Sequence, residues 1–440
     1  MIGFWFCLSP ASFFEAELHP ASTDSSKTIP IVSKVPVFNI LFFINRYFHP
    51  DQSATSRLLS DLAFALANAG HDILILTSRQ RYDDPDARLP ACEVRGKVKV
   101  HRLAGTRFGR RRLLGRSIDY LSFYVAMTVT LLKLASAGDT IVPMTDPPML
   151  GVLAGPIARL KRCRIINWLQ DLYPEVALAV GTPFLRPILA KFIQGFRDRS
   201  LRPADCNVVI ASAMAERVST LGVKQERIRV IHNWVDDHAL VPIPKHENPF
   251  RRQWGLEDKF VVGYSGNLGR VHDIDTILLA SAELVDCQIV FLCIGGGAQY
   301  NALQRTAERR GLTQLFRFLP YQSETDLRYS LSAADVHWLS HKPEFEGLLF
   351  PSKFYGIAAV GRPIIAITSR QSELAKLVSE YQCGLAIEQG DGASLAFELK
   401  RLKAAPEIGS AMGERARAML TARFTRAQAI NAWTQTLRQA

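Results

Sequence analysis

Residues 260–270, FVVGYSGNLGR, decide the fold. An apolar run of strand length (260–264) leads into a glycine-rich turn, and a helix is predicted to begin near Asp273. The same alternation of strand and helix continues to the end of the chain. The further strands predicted in this half are 288–294, 316–318, 336–339, 363–367 and 384–387. This pattern predicts a parallel, doubly wound α/β domain.

A first series of the same kind precedes it. The runs 37–44 (VFNILFFI) and 72–77 (DILILT) flank a helix that Ser53 or Thr55 can cap, which makes one βαβ unit. Further strands are predicted at 98–103, 140–143, 164–169, 207–210 and 229–231. Two such series predict two Rossmann-like, doubly wound α/β domains that face each other across a cleft, where ligands bind at the carboxyl ends of the strands.

Composition supports an ordinary globular chain of two domains. Hydrophobic residues make up 48% and charged residues 21% of the 440 residues, which excludes a disordered or collagen-like chain. The seven cysteines are scattered without a C-x-x-C pair, which predicts a reduced, cytoplasmic protein without structural zinc. The sequence contains no P-loop, no H-E-x-x-H and no G-x-S-x-G motif.

The domain boundaries follow from these patterns. We expect a flexible lead (1–34), an N-terminal domain (35–240), a linker (241–256), a C-terminal domain (257–415) and a terminal helical segment (416–440).

Two glycine turns of the second domain are candidates for binding phosphate. Gly263, Gly266 and Gly269 are spaced by two residues, unlike the G-x-G-x-x-G of dinucleotide folds, and Gly295-Gly296-Gly297 also lies between a strand and a helix. Small residues let backbone amides close on a phosphate. An ordinary tight βα turn remains open for the first, and a turn imposed by packing for the second.

A third candidate is the segment 344–363, EFEGLLFPSKFYGIAAVGRP. Ser352 is expected to cap a helix whose N-terminus, with Lys353 beside it, suits a diphosphate. The alternative is a capped surface helix. A fourth candidate is Asp171, which follows the strand at 164–169 and can meet a sugar hydroxyl or the acceptor, or simply cap a helix.

Basic residues concentrate between Arg95 and Arg116, where nine occur without an acid, and the whole chain carries a formal charge of +12. This window suits an anionic membrane, a phosphate-bearing acceptor or nucleic acid, or is only a solvated loop. The apolar run 120–135 follows it. We expect that run to be a buried helix, with an interfacial helix as the alternative.

Taken together, the motifs resemble those of a known family. They are FHPD (48–51), WLQDLYPE (168–175), IHNWVD (231–236), YSGNLGR (264–270) and FPSKFYGIAAVGRP (350–363). Their order over about residues 36–438 is similar to that of the retaining, metal-independent GT-B glycosyltransferases of family four. The branch that they resemble most builds bacterial surface polysaccharides and includes N-acetyl-fucosamine transferases and colanic-acid-type enzymes.

The resemblance implies a UDP-sugar in the C-terminal domain, an acceptor sugar on polyprenyl diphosphate in the N-terminal domain, and a final helix that crosses back to the first domain. It implies transfer with retention and no cofactor or metal, with charge on the leaving phosphate stabilised by amides and helix N-termini. We expect a peripheral protein on the cytoplasmic membrane face, contacting anionic lipid but no nucleic acid.

The family's motifs depart from this sequence at several positions. Its Glu-x7-Glu pair falls on Leu348 and Gly356, with Glu346 two residues out of register. Its Arg and Lys fall on Asn267 and His272, so that Arg270 or Lys353 would supply the positive charge.

The residues expected to act fall into three groups. The catalytic candidates are Asp171 and Glu346. The nucleotide-sugar candidates are Gly266, Asn267, Gly269, Arg270, Gly295, Gly296, Gly347, Ser352 and Lys353. The membrane and acceptor candidates are Arg107, Arg110, Arg111, Arg112 and Arg116. Two other functions stay open at this point: a UDP-sugar 2-epimerase of the same architecture and a non-catalytic UDP-sugar-binding subunit.

Overall fold

A computed structural model describes residues 39–82, 84, 86–109, 113–182 and 185–439. The predictions for the lead (1–34) and for Arg110, Arg111 and Arg112 lie outside these residues. The described residues belong to one compact unit.

Two sheets organise the described chain. Their strands are β1 (Leu41–Ile44), β2 (Ile73–Ser78), β3 (Cys92–Arg95), β4 (Val98–Leu103), β5 (Thr140–Pro143), β6 (Arg164–Leu169), β7 (Cys206–Val209), β8 (Ile228–Val230), β9 (Phe260–Asn267), β10 (Ile289–Gly296), β11 (Phe316–Leu319), β12 (Val336–Ser340), β13 (Ile364–Ile367) and β14 (Gly384–Ile387). The N-terminal sheet has the order β3-β4-β2-β1-β5-β6-β7-β8, and the C-terminal sheet has the order β11-β10-β9-β12-β13-β14. Neighbouring strands are parallel, except that β3 runs antiparallel to β4. The predicted pair of doubly wound α/β domains is confirmed.

Helices cover both sheets. They are α1 (Ala54–Asn68), α2 (Leu113–Leu134), α3 (Leu150–Lys161), α4 (Glu175–Ala179), α5 (Pro187–Leu201), α6 (Ser212–Thr220), α7 (Pro249–Gln253), α8 (Asp275–Ala282), α9 (Ala298–Arg309), α10 (Leu327–Ser332), α11 (Lys353–Ala359), α12 (Glu373–Glu380), α13 (Gly392–Ala404), α14 (Pro406–Arg423) and α15 (Arg426–Gln439). The helix α7 falls inside the predicted linker, and the predicted boundary at 415 falls inside α14.

The central strands are apolar because both of their faces are covered. All four residues of β1 are buried. Phe43 contributes to the core beneath α1, whereas Phe42 and Ile44 contribute to the core beneath α2 and α3. A strand with both faces covered needs apolar side chains in both alternating sets, which explains the uninterrupted run LFFI.

The chain ends on the N-terminal domain. Trp433 of α15 packs against Trp168 of β6 with ring centroids 4.7 Å apart, and the guanidinium of Arg426 contacts both carboxylate oxygens of Asp61 on α1 at 2.7 and 2.8 Å. The preceding helix α14 packs instead on α11 and α13 of the C-terminal domain. The predicted return of the final helix to the N-terminal domain is therefore confirmed. The chain crosses from the C-terminal domain to the N-terminal domain between Arg423 and Arg426.

The two domains also meet along a packed seam. The backbone N–H of Leu172, after β6, donates to the carbonyl oxygen of Leu348, before α11, at 2.9 Å. Both side chains belong to one hydrophobic core that includes residues of both domains. This seam fixes how the candidate site residues of one domain face those of the other.

Candidate active site

The two glycine turns of the C-terminal domain lie against each other. Strands β9 and β10 pair in register to their carboxyl ends, so that Gly266 lies opposite Gly295 and Asn267 opposite Gly296. Beyond the strands, the N–H of Leu268 donates to the carbonyl oxygen of Gly296 at 2.7 Å. Two segments that are about 30 residues apart in sequence therefore form one backbone platform.

Two of these glycines are required by both conformation and space. Gly266 has φ +125° and Gly295 has φ +128°, values that residues with a side chain rarely adopt. A Cβ on Gly295 would overlap the carbonyl oxygen of Gly266. The close approach of the two turns thus depends on glycine at position 295, while a Cβ on Gly266 would meet the side chain of Lys353.

Gly263 has a different role from the one expected. A Cβ there would lie 2.6 Å from Ala334 Cβ and 2.7 Å from the ring of His337. The residue sits within β9 and leaves room for its neighbours in the domain core. Gly263 therefore belongs to the predicted strand and serves packing, whereas Gly266 lies at the platform.

Lys353 lies against this platform. Its Nζ donates to the carbonyl oxygen of Asn267 at 3.3 Å and lies 5.2 Å from the centroid of the Tyr264 ring. The Tyr264 hydroxyl donates to the same carbonyl oxygen at 2.8 Å. The structure thus brings Gly266, Asn267, Gly295, Gly296 and Lys353 together, as the sequence predicted.

The ammonium group of Lys353 contacts a carbonyl oxygen but lacks an acidic partner among the described residues. Burial lowers the pKa of Lys353 to about 8. An unpaired, partly buried cation next to glycine backbone is a strong site for an anion, because a phosphate would restore the lost interaction of the charge.

His272 does not supply a second positive charge. Its Nδ1 lies 2.7 Å from the carbonyl oxygen of Ser340, and burial, assisted by the nearby charge of Lys353, lowers the pKa of His272 to about 3. The ring is therefore neutral at physiological pH. Lys353, by contrast, is a cation that the structure places against the platform.

Three other residues were predicted to bind the donor: Gly269, Arg270 and Ser352. Gly269 is adjacent to the platform, where an added Cβ would make only an ordinary contact with the Asn267 side chain at 3.7 Å, and Arg270 is exposed to solvent. Ser352 occupies the position before α11, but its side chain makes no capping hydrogen bond. The expected cap is thus wrong, since Ser352 has helical backbone angles rather than the extended ones of a capping residue.

Gly347 and Glu346 lie at the seam between the domains. A Cβ on Gly347 would lie 2.9 Å from the carbonyl oxygen of Ala213, at the start of α6 in the N-terminal domain. The Glu346 carboxylate accepts a hydrogen bond from the N–H of Glu373 at 2.8 Å and lies 3.4 Å from His341 Nδ1. Burial alone would raise the pKa of Glu346, but the contacts with His341 and Glu373 outweigh it and the pKa is lowered.

Glu373 continues this arrangement across the seam. Its two carboxylate oxygens accept hydrogen bonds from the N–H groups of Ser212 at 2.9 Å and Ala213 at 2.7 Å, at the N-terminus of α6. Glu346 thus accepts a hydrogen bond from the N-terminus of α12 in the C-terminal domain, and Glu373 accepts two from the N-terminus of α6 in the N-terminal domain. Sequence reasoning missed Glu373: its place after Ser372 at a helix start was visible, but its partner in the other domain was not.

Asp171 lies on the N-terminal side of the same seam, one residue before Leu172. It lines a cavity together with Thr145, Asn167 and Tyr173. Burial raises the pKa of Asp171 to about 6; a hydrogen bond with Thr145 opposes this rise and the charge of Asp146 adds to it. A carboxyl group that titrates near 6 in a cavity can accept a proton from a hydroxyl group at neutral pH.

A second cavity opens at the carboxyl ends of β1, β2 and β4. The Arg46 guanidinium lies 3.6 Å from the Asp119 carboxylate and donates to Gln80 Oε1 at 3.2 Å. Arg79 and Arg107 also line this cavity. The N-terminal domain thus offers guanidinium groups at the sheet edge where an α/β fold binds ligands, and sequence reasoning identified only Arg107 among them.

The basic window is not one loop. Arg95 lies in β3, Lys97 lies in the turn after it, and Lys99 and Arg102 lie in β4. Arg102 is buried, with its guanidinium 2.5 Å from Glu93 Oε1 and hydrogen-bonded to the carbonyl oxygen of His49 at 2.8 Å. The window therefore contributes fewer free charges than its sequence suggests. Arg116 is exposed on α2 and donates from Nε to the Tyr120 hydroxyl at 2.9 Å.

Metal ligands do not cluster in the part of the chain that the structure describes: no group of three or more His, Cys, Asp or Glu side chains is placed to hold an ion.

Comparison with known families matches each domain separately. Residues 54–234 match the model of the glycosyl transferase 4-like domain, and residues 247–419 match that of the glycosyl transferases group 1. The first match covers β2 to β8 of the N-terminal sheet, and the second covers all six strands of the C-terminal sheet. The chain belongs to the family-four GT-B glycosyltransferases.

The chain is similar to bacterial glycosyltransferases in sequence and in structure. It is 24% identical over 66% of its length to the probable glycosyltransferase WbjE of Pseudomonas aeruginosa, covering 72% of that protein. It is 26% identical over 52% of its length to the putative colanic acid biosynthesis glycosyl transferase WcaI of Escherichia coli, and spans 57% of that protein. Among solved structures, HepE of Anabaena in complex with UDP and glucose covers 91% of the chain and is covered completely, with a TM-score of 0.68 at 16% identity. That likeness shows the fold.

Proposed function

We propose that the enzyme transfers a sugar from a UDP-sugar to a lipid-linked saccharide during assembly of a bacterial surface polysaccharide. The observation that carries the proposal is the unpaired ammonium of Lys353 at the joined glycine turns Gly266-Asn267 and Gly295-Gly296. HepE, which shares the fold, is in complex with UDP in its structures. WcaI, which is similar in sequence and is named for colanic acid biosynthesis, supports the polysaccharide context.

In this proposal the diphosphate of the donor lies on the two turns with Lys353 beside it. Cleavage of the bond between sugar and phosphate leaves negative charge on the departing diphosphate. Backbone amides and an ammonium group held in place before the reaction stabilise that charge without rearranging. A metal ion is not required for this role, so we propose a reaction without metal or cofactor.

The N-terminal domain holds the acceptor in this proposal, and Asp171 contacts the attacking hydroxyl group. We further propose retention of the anomeric configuration, with the leaving diphosphate helping to take the proton of the acceptor. Glu346 acts indirectly here, because its carboxylate is engaged by the N–H of Glu373 and by His341. The acceptor is proposed to carry a polyprenyl diphosphate, which would place the enzyme on the cytoplasmic face of the membrane.

A UDP-release assay tests the proposal. The enzyme is incubated with a panel of UDP-sugars in EDTA, with and without a membrane extract that supplies acceptor, and Lys353→Met is the matched variant. The proposal predicts UDP release that needs both donor and extract, survives EDTA and is lost in Lys353→Met. Release without acceptor together with an epimerised sugar would favour a 2-epimerase. UDP binding without release would favour a non-catalytic binding subunit.

A further inference from the structure

The outer face of α2 is apolar and exposed. Six of its side chains, spaced three or four residues apart, form one stripe along the helix: Leu114, Ile118, Leu121, Val125, Val129 and Leu132. The exposed face carries no charge between Arg116 and Lys133, a length of about 25 Å on a helix. The prediction of a buried helix was therefore wrong for this face.

The inner face of α2 holds the helix on the protein. Phe123, Met127 and Leu131 are buried in the core that includes Phe42 and Ile44 of β1. Leu114–Leu134 is long and apolar enough to cross a membrane, by length and composition. A helix packed in this way cannot leave the sheet without opening the domain core, so that α2 can only lie along a membrane surface.

Two neighbouring helices extend the apolar surface. Helix α3 packs against both α2 and α5, and exposes Leu160. Helix α5 exposes Ile188, Phe192 and Phe196, which are spaced by four residues; Phe192 is 66% exposed and Phe196 is 58% exposed. Exposed phenylalanine and leucine on three adjacent helices exceed the scattered apolar residues of an ordinary protein surface.

Basic residues surround this surface. Arg116 and Lys133 lie near the ends of α2, Arg159 lies on α3, and Lys191 and Arg199 lie on α5; all five are exposed. In the described parts of these three helices, no exposed side chain is acidic: Asp119 is buried and Asp198 is half-buried beside Arg197. An apolar face with a purely basic rim matches the interface of a bilayer that contains anionic lipid.

We infer that α2, α3 and α5 form a docking surface that inserts into the headgroup region of an anionic bilayer. The contact is apolar in its centre and electrostatic only at its rim. It therefore differs from binding of the Arg95–Arg116 window to a membrane, which would be electrostatic alone. The inference rests on the proposed function for its purpose, because an acceptor that is anchored in lipid must be reached from the membrane surface.

Vesicle flotation tests the docking surface directly. The full chain is mixed with vesicles of phosphatidylethanolamine and phosphatidylglycerol at low salt and at about 1 M NaCl, where exposed charges are screened. The test variants are Leu121→Gln/Val125→Gln and Phe192→Gln/Phe196→Gln. The matched control is Phe397→Gln, since Phe397 on α13 of the C-terminal domain is also 66% exposed.

The inference predicts that the wild type and Phe397→Gln float, and that much of this binding survives high salt. Each double variant is expected to bind at least about tenfold more weakly, because two side chains lose their burial in lipid. Thermal melts that match the wild type show that the variants fold.

Three results would overturn the inference. The first is equal flotation of the double variants and the wild type, and the second is loss of all binding in high salt. The third is a wild-type protein that is dimeric and floats poorly, and whose dimer is dissociated by the same substitutions. That result would make the face a contact between two copies of the chain. Calorimetric binding of UDP without vesicles is measured in parallel, so that failure of docking is distinguishable from failure of the donor site.

Discussion

The side chain of Lys353 passes so close to Gly266 that a Cβ at position 266 would lie 2.6 Å from Lys353 Cε. The two residues are 87 positions apart in the chain, and their contact joins the first glycine turn to the start of α11. The position of the ammonium group therefore depends on the absence of a side chain at Gly266. This relationship connects the backbone platform with the cation proposed to hold the donor diphosphate.

Replacing Gly266 by alanine tests this dependence. The methyl group would displace Lys353 and strain a residue whose φ is +125°. We expect UDP affinity to fall at least about tenfold, or about 1.4 kcal/mol. The matched control is Gly269→Ala in the same turn, where a Cβ would meet only Asn267 Nδ2, at 3.7 Å. Isothermal titration calorimetry with UDP measures both variants, and equal losses in the two would contradict the specific role of Gly266.

The charge of Lys353 makes UDP binding depend on pH. Because burial lowers its pKa to about 8, the free enzyme loses the ammonium charge as pH rises through that value. Phosphate groups with a pKa near about 6 are already ionised there, so the charge of UDP stays constant. UDP affinity should therefore decline between about pH 7 and pH 9.5 in the wild type.

Two variants separate this effect from other titrations. Lys353→Arg keeps its charge over the whole range and should show a flat profile, although its fork geometry differs. Lys353→Met should bind UDP weakly at every pH. A wild-type profile that Lys353→Met reproduces would show that another group is responsible.

Asp171 is expected to act in transfer rather than in donor binding. Asp171→Asn should lower kcat at least about 100-fold, because the attacking hydroxyl group loses the carboxylate that orients and polarises it, while UDP affinity stays unchanged. Since burial raises the pKa of Asp171 to about 6, wild-type activity should fall as pH decreases through that value and the carboxylate is protonated. Steady-state kinetics measure both effects, and a variant with normal kcat would remove Asp171 from the mechanism.

Glu373 is expected to stabilise the seam between the domains. In Glu373→Gln, an amide NH2 group would face one of the N–H donors of Ser212 and Ala213, so that one charged hydrogen bond is replaced by a repulsive contact. We expect a loss of about 2 kcal/mol of stability. Glu380→Gln on the same helix is the control. The Glu380 side chain is 59% exposed, and its ion pair with Arg423 is long, at 3.8 Å between Oε1 and Nη1. A thermal melt that shifts equally in both variants would contradict the role of Glu373.

The sequence predicted the buried strands well, because a strand that is covered on both faces is visible as an apolar run in its own residues. The runs 98–103, 140–143 and 164–169 match β4, β5 and β6 in full. Strand β3 was missed, because CEVR is a short edge strand with exposed residues and pairs antiparallel to β4. An edge strand of this kind has neither the apolar run nor the alternation that identifies a strand.

Long-range contacts explain what the sequence left out of the site. Lys353 was predicted as a cation for the diphosphate, but its contact with Gly266 and the neutral state of His272 depend on the folded chain. The pairing of Arg102 with Glu93 and the outward face of α2 also depend on the folded chain. Sequence periodicity shows that a helix has an apolar face, but not whether that face meets the core, a lipid or water.

A crystal structure of the full chain soaked with UDP in EDTA tests the central claim most directly. The account predicts that the diphosphate lies on the joined turns, with a phosphate oxygen within hydrogen-bond distance of Lys353 Nζ and of backbone N–H groups of the segments 266–269 or 295–298. A diphosphate bound elsewhere, or UDP that binds only when a divalent cation replaces the EDTA, would contradict it.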